Sequence, residues 1–429
     1  MKGNKKKIEL LAPAGDIDKL KYAYAYGADA VYLGLPDFSL RAKTGFDLKS
    51  IKEGIDYAHK LKKKVYVTIK IFAHNNQINK LSSFLRQISK INADAIIISD
   101  PGVLLLVKKY LPKTPIHLST QANTLNYEAV KFWQKNGVKR VILGREATLE
   151  DIREIHRKVP KMQLEVFVHG AMCMSYSGRC YFSAWLNNRS ANEGSCTQPC
   201  RWNYKLYMEE PLRPGMMIPL EEDEKGIYIL NSKDLCLIDY LDELRKAGVV
   251  SVKIEGRTKS HYYVAVATKA YRMALDSIFS PFTKGNPSSL LPLTKGEVGR
   301  GFAAKFKQAK AELQKIDNRG YTTGFLLGKE GIKRQEFKTS KQISDWQFVG
   351  EVIESKGKTI YFKPHNMLNV GDILELLTPE GCYRIKVKEF INPNSEKVKQ
   401  VHGGTQGIYS FVLSKKCNVK WGLLRKKVG

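Results

Sequence analysis

Short apolar runs alternate with amphipathic stretches along the first 280 residues. Runs rich in Val, Ile and Leu recur at Ile8–Pro13, Ala30–Gly34, Lys64–Lys70, Ala95–Ser99, Ile116–Thr120, Arg140–Arg145, Leu164–Gly170 and Ser251–Gly256. A strand that is apolar almost throughout is covered on both faces, which is the condition of a parallel sheet wrapped by helices. Between the runs the apolar positions take the helical period, as from Asp47 to Leu61, and Thr148-Leu-Glu-Asp is a capping-box start. Eight strand–helix units predict an α/β fold, a (β/α)8 TIM-like barrel with its chemistry at the C-terminal strand ends.

Two stretches break the alternation. A long insertion, Ala171 to Leu230, separates the seventh strand from the helix expected at Leu235–Ala247, and would lie over the barrel mouth. After a helix expected at His261–Ile278, the stretch Ser280–Phe302 has neither period and carries the related tags Pro281-Phe-Thr-Lys-Gly and Pro292-Leu-Thr-Lys-Gly. The organisation expected is a barrel over 1–280 with the insertion at 171–230, a flexible inserted loop at 281–302, a connecting segment at 303–344 and a small C-terminal β-barrel at 345–429. The last rests on short runs at Val349–Ile353, Thr359–Phe362, Asp372–Leu377, Tyr383–Val387 and Ile408–Leu413, separated by turn signals such as Pro379-Glu-Gly. It closes on what reads as a basic tail from Lys415.

Charge changes the picture more than composition does. With 71 Lys and Arg against 42 Asp and Glu, the formal charge of +29 points to a polyanionic partner, although a Lys-rich proteome would produce the same excess. No apolar run approaches the ~18 residues of a membrane span. The basic start passes into a strand without the apolar core of a signal peptide, so a cytoplasmic, reducing location is expected and disulfides are not.

The candidate chemistry is concentrated in the insertion. Cys173, Cys180, Cys196 and Cys200 crowd together with Cys236 beyond them, while Cys382 and Cys417 stand alone. Four thiolates in one loop-like segment suit a soft metal or an iron–sulfur cluster. Spacing does not choose between that and structural zinc, since only Cys196-x3-Cys200 has the tight pairing of a zinc knuckle. Packing of small apolar thiols is the plainer use. The predicted strand ends add Gln121, Arg145, His169, Glu255, Arg257 and Lys259, with Lys253 inside the last strand. Arg257 and Lys259 suit an anionic group, and Tyr176, Tyr181 and Trp185, interleaved with Arg179 and Arg189, suit stacking on unpaired bases.

The run Glu165-Val-Phe-Val-His-Gly-Ala-Met-Cys-Met-Ser-Tyr-Ser-Gly-Arg-Cys180 resembles the signature of the collagenase-like peptidase family of unassigned catalytic type, U32. Gly194-Ser-Cys-Thr-Gln-Pro-Cys-Arg-Trp202, Asn231-Ser-Lys-Asp-Leu-Cys236, Lys253-Ile-Glu-Gly-Arg-Thr-Lys259 and Asn318-Arg-Gly-Tyr-Thr-Thr-Gly-Phe325 resemble its branch that hydroxylates transfer RNA. The resemblance implies oxygen-independent formation of 5-hydroxyuridine at the wobble position of tRNA, a 4Fe-4S cluster, prephenate as hydroxyl source and a paralogous partner subunit. It implies Cys173, Cys180 and Cys196 as ligands, with Cys200 or Cys236 as the fourth. The remaining candidates are His169, Glu255 and Arg257 for catalysis, and Gln121, Arg145, Tyr176, Arg179, Lys253 and Lys259 for substrate. Two alternatives stay open: a peptidase, for which His169 with Cys173 offers a thiol nucleophile in the absence of His-Glu-x-x-His and Gly-x-Ser-x-Gly motifs, and a non-catalytic RNA-binding zinc protein.

Overall fold

The computed structural model describes residues 7–35, 38, 45–173, 175–202, 204, 206–209, 212, 214–215, 217–220, 232–279, 300–328, 344–404, 407–415 and 417–428. Strands β1 (Glu9–Pro13), β2 (Ala30–Leu33), β3 (Lys64–Ile69), β4 (Ala95–Ile98), β5 (Ile116–Leu118), β6 (Arg140–Ile142) and β7 (Gln163–Ala171) pair in parallel in chain order. A short antiparallel hairpin, β8 (Leu206–Glu209) with β9 (Met217–Leu220), and β10 (Asp234–Cys236) intervene before β11 (Val249–Ile254). β11 pairs in parallel with both β7 and β1, which closes the barrel at eight strands as the hydrophobic pattern predicts.

Helices α1 (Ile17–Ala25), α2 (Leu48–Lys60), α3 (Asn75–Ile88), α4 (Pro101–Tyr110), α5 (Tyr127–Lys135) and α6 (Leu149–Lys158) fill the crossovers. Side chains at their starts satisfy the first free N–H groups: Asp16, Asp47, Asp100, Asn126 and Thr148 each accept from the backbone three residues on. α7 (Phe182–Asn187) lies in the insertion; α8 (Leu241–Lys246), α9 (His261–Phe279) and α10 (Arg300–Leu313) follow.

The helix expected at Leu235–Ala247 is instead a strand, a turn and the shorter α8. β7 runs on past the barrel rim, and the backbone of its last three residues is satisfied by antiparallel pairing with β10, Asp234 opposite Ala171 and Cys236 opposite His169. β12 (Tyr321–Thr322) adds to the far side of β10. The expected connecting segment therefore belongs to the barrel: Phe306, Ala309, Leu313, Ile316 and Leu326 are in its hydrophobic core. Most of the expected inserted loop lies outside the described residues, and α10 begins at Arg300, inside that loop's expected end.

The C-terminal unit is an antiparallel half-barrel. It comprises β13 (Trp346–Lys356), β14 (Thr359–Pro364), β15 (Leu368–Asn369), β16 (Ile373–Leu377), β17 (Cys382–Lys386), β18 (Phe390–Ile391), β19 (Lys397–Val398), β20 (Gln400–Val401), β21 (Tyr409–Val412) and β22 (Leu423–Lys427). The expected basic tail is corrected here. β22 is an inner strand between β13 and β16, and Arg425 is fully buried, bound to Glu312 of α10 at 2.8 Å and to Glu375 of β16 at 2.7 Å. A cation at this position closes the seam between the units; Leu377 and Leu423 also pack into the barrel core.

Candidate active site

The two ends of the barrel treat charge differently. Toward the N-terminal ends of the strands, Arg140 bridges Glu9 at 2.6 Å and Glu165 at 3.0 Å, and Lys253 meets Glu165 at 3.4 Å. Burial pulls Lys253 below its ordinary pKa, while Glu165 opposes the shift. Lys253, assigned to substrate from the sequence, thus lies inside the barrel, 1% exposed, over the Tyr32 ring.

At the opposite end the insertion is folded by its own polar contacts. Thr197 exchanges hydrogen bonds with Ser183 and accepts from Asn187, which joins α7 to the Cys196–Cys200 loop. Ser177, at φ 45°, donates both its N–H and its hydroxyl to Glu146. Arg179 donates to the Gln121 carbonyl at 3.0 Å and stacks over Phe72, so the insertion is held to the loop after β5.

This folding gathers four thiols. Burial pushes Cys200 up to about 11, and the Arg201 guanidinium lowers it, while Cys173, Cys196 and Cys180 each act on it to raise it further. A Cys200 thiolate that its three neighbours disfavour is one that a cation among them would stabilise. The Gln198 N–H points to the Cys196 sulfur at 3.3 Å, the kind of contact that tunes a thiolate ligand. Cys236 lies elsewhere, on β10, its sulfur 3.7 Å from the Tyr271 hydroxyl, and its neighbouring charges are Asp239 and Lys310 rather than the other thiols.

Beside the thiols stands a cationic group that sequence reasoning only partly found. Burial draws Lys259 down to about 8; Asp234 opposes this and Arg319 and Arg201 reinforce it. Arg319 holds Asp234 at 2.6 Å and the Ser232 carbonyl at 3.3 Å, and Asp317 is the second carboxylate that acts on Lys259. Arg201 donates to the Met172 carbonyl, next to Cys173. Arg201, Arg319 and Asp234 come from three separate segments, which is why no single motif marked them as a group.

His169 is 1% exposed and ringed by Tyr263, Tyr271 and Tyr321 at 5.4–5.8 Å between centroids. Burial first, then Lys259, lowers it to about 3, so the imidazole is neutral at working pH. No hydrogen bond joins it to Cys173, and its Nδ1 has no hydrogen-bond partner. Gly170 follows at φ 108°, where a Cβ would meet the Glu255 carbonyl oxygen at 2.5 Å; only glycine lets β7 and the loop after β11 approach so closely. Glu255 pairs with Arg145 at 3.4 Å, and Arg145 lies over Phe167. Arg257 is buried and donates to the Gly34 carbonyl. Near the end of β5, Gln121 Oε1, Asn123 Oδ1 and Thr124 Oγ1 are buried acceptors without hydrogen-bond partners, a pattern that marks a place for a polar ligand.

Three aromatic residues on and before α7 face outward. Tyr181 is 75% exposed, Trp185 69% and Tyr176 52%, with Phe182 and Trp185 stacked on α7. Large rings in solvent next to exposed Arg179 and Arg189 form a surface suited to a planar partner.

The family model described as peptidase family U32 matches residues 15–336, and the one described as peptidase family U32 C-terminal domain matches residues 344–424. The chain is 40% identical over 432 residues to tRNA hydroxylation protein P of Escherichia coli strain K12, covering 91% of this chain and 90% of that one. It is 36% identical over 272 residues to 23S rRNA 5-hydroxycytidine C2501 synthase of the same organism, covering 63% and 40%. It is also 28% identical over 419 residues to a collagenase of Porphyromonas gingivalis, covering 92% and 93%.

Proposed function

The chain belongs to peptidase family U32, and from that premise we propose that it hydroxylates RNA rather than cleaving protein. Relatives named for tRNA hydroxylation and for rRNA hydroxycytidine synthesis support the reaction class. Within it we favour tRNA as substrate and the wobble uridine as target, with prephenate as the hydroxyl source. The observation that carries the reading is an insertion that bears four thiols, three of which act on the charge of Cys200, together with exposed aromatic rings and a desolvated cationic group that includes the adjacent Arg201.

In this reading Cys173, Cys180, Cys196 and Cys200 hold a 4Fe-4S cluster, which supplies electron transfer or Lewis acidity when bound. Lys259 and Arg201 receive an anionic group, a carboxylate of the donor or a phosphate of the RNA. Their partial desolvation makes each charge count for more than it would in water. Neutral His169 keeps one ring N–H and one acceptor nitrogen, and with the tyrosines around it forms the uncharged floor of the site. Tyr176, Tyr181 and Trp185 stack the splayed bases of an anticodon loop. The collagenase relative keeps the peptidase reading in view, but His169 and Cys173 are not assembled as a nucleophile and its base.

Anaerobic purification followed by metal analysis is the test, together with mass spectrometry of tRNA nucleosides from a deletion strain. About four irons per chain are expected, lost in Cys173→Ala, Cys180→Ala, Cys196→Ala and Cys200→Ala and kept in Cys236→Ala. The strain should lose 5-hydroxyuridine and recover it with wild type but not with Cys180→Ala. A colourless zinc protein with unchanged nucleosides would support the RNA-binding alternative.

A further inference from the structure

We propose that His261, Glu351 and His365 form a binding site for one divalent transition-metal ion that ties the half-barrel to the barrel. His261 opens α9, Glu351 lies on β13 and His365 follows β14, so the three ligands come from both units. Their ligand atoms all lie within 4.8 Å of one another. The carboxylate Oε2 is 3.7 Å from His261 Nε2 and 3.8 Å from His365 Nε2. Those separations are too long for hydrogen bonds, and both Nε2 atoms are buried without a hydrogen-bond partner. They are close to what an ion would produce: with metal bonds near 2.0–2.1 Å, tetrahedral ligand atoms stand about 3.4 Å apart.

The surroundings favour occupancy by a cation over a simple ion pair. The Tyr22 hydroxyl donates to Glu351 Oε1 at 2.8 Å, which fixes the carboxylate with its second oxygen turned toward the imidazoles. Tyr22 and Phe348 pack on the His261 ring at 5.1 and 5.2 Å, and Phe348 also touches His365. Two imidazoles and one carboxylate provide three ligands, a donor set that suits zinc, iron(II) or cobalt and does not suit calcium or magnesium.

Zinc and cobalt are the probes, added to the full chain purified anaerobically so that the thiols keep their own metal. One additional zinc per chain is expected, with a rise in the unfolding temperature that tracks zinc concentration. Cobalt at this site should give visible d–d bands without the sulfur-to-metal charge transfer of a thiolate site. His365→Gln and Glu351→Gln should each weaken zinc binding at least tenfold and abolish the thermal shift. Because Glu351→Gln also disturbs the Tyr22 bond, His365→Gln is the deciding variant; its partly exposed side chain can change without unfolding the seam. Equal zinc stoichiometry and affinity in wild type and His365→Gln, or cobalt spectra of thiolate character alone, would overturn the proposal.

Discussion

The closed end of the barrel and its open mouth both bury charge, and only the closed end balances it. Glu9, Arg140, Glu165 and Lys253 are two anions and two cations in direct contact. At the mouth Arg201, Lys259 and Arg319 crowd around Asp234, which Arg319 already holds. Paired buried ions are costly to separate but have no need of a ligand. At the mouth the cations are held more loosely, with Asp317 and the thiols Cys200 and Cys173 acting on them from nearby, an arrangement that can also receive an anionic ligand. The contrast distinguishes a structural network from a receptive one without reference to motif.

The sharpest way to break the contrast is to remove one cation from each end. Arg140→Met should cost about 3–5 kcal/mol by leaving Glu9 and Glu165 short of a partner, read as a lower denaturant midpoint. Lys259→Met should change stability by no more than about 1 kcal/mol, because a poorly compensated cation is lost, yet reduce turnover at least tenfold. Equal destabilisation by both would erase the distinction.

A smaller effect belongs to the outer surface of the mouth. Tyr181→Ala and Trp185→Ala should each weaken tRNA binding by about 1–3 kcal/mol in a filter or anisotropy assay, the usual worth of one stacked base, while leaving iron content unchanged. Loss of iron in these variants would mean that the rings support the segment rather than the RNA.

The smallest effect is in pH dependence. Lys259 in the folded state titrates near 8, below its ordinary value, so the folded state is penalised while the amine is charged. Stability should therefore rise as pH increases through 8 toward 10.5, and binding of a small dicarboxylate should fall over the same range as the charge is lost. Lys259→Arg should flatten the binding profile, checked by calorimetric titration between pH 7 and 10.

Much of this was legible in the chain. The eight barrel strands stood out because parallel strands buried on both faces are written as continuous β-branched runs. The thiols of the insertion were legible because they lie close in sequence. β10 reads as helix in the sequence because Leu235-Cys-Leu-Ile fits either period over so short a span. β22 reads as a tail because its Arg and Lys residues have the pattern of a solvated segment, and only the acids of α10 and β16 explain a buried Arg425. Asp234 with Arg319, and Glu351 with its two histidines, are pairings between distant segments that no local pattern records.

The three-residue match of β7 with β10 has a bearing on how the protein would behave if the proposed cluster were lost. The excursion that bears the thiols leaves the sheet at Ala171 and re-enters it opposite that residue at Asp234, so its two ends are clasped by backbone hydrogen bonds whatever happens above them. Such an excursion can open as a separate cooperative unit. Amide exchange on an iron-depleted sample should be fast within the excursion and slow in the surrounding strands, and a melted excursion clasped at its base can be reloaded in place with no need to refold the barrel.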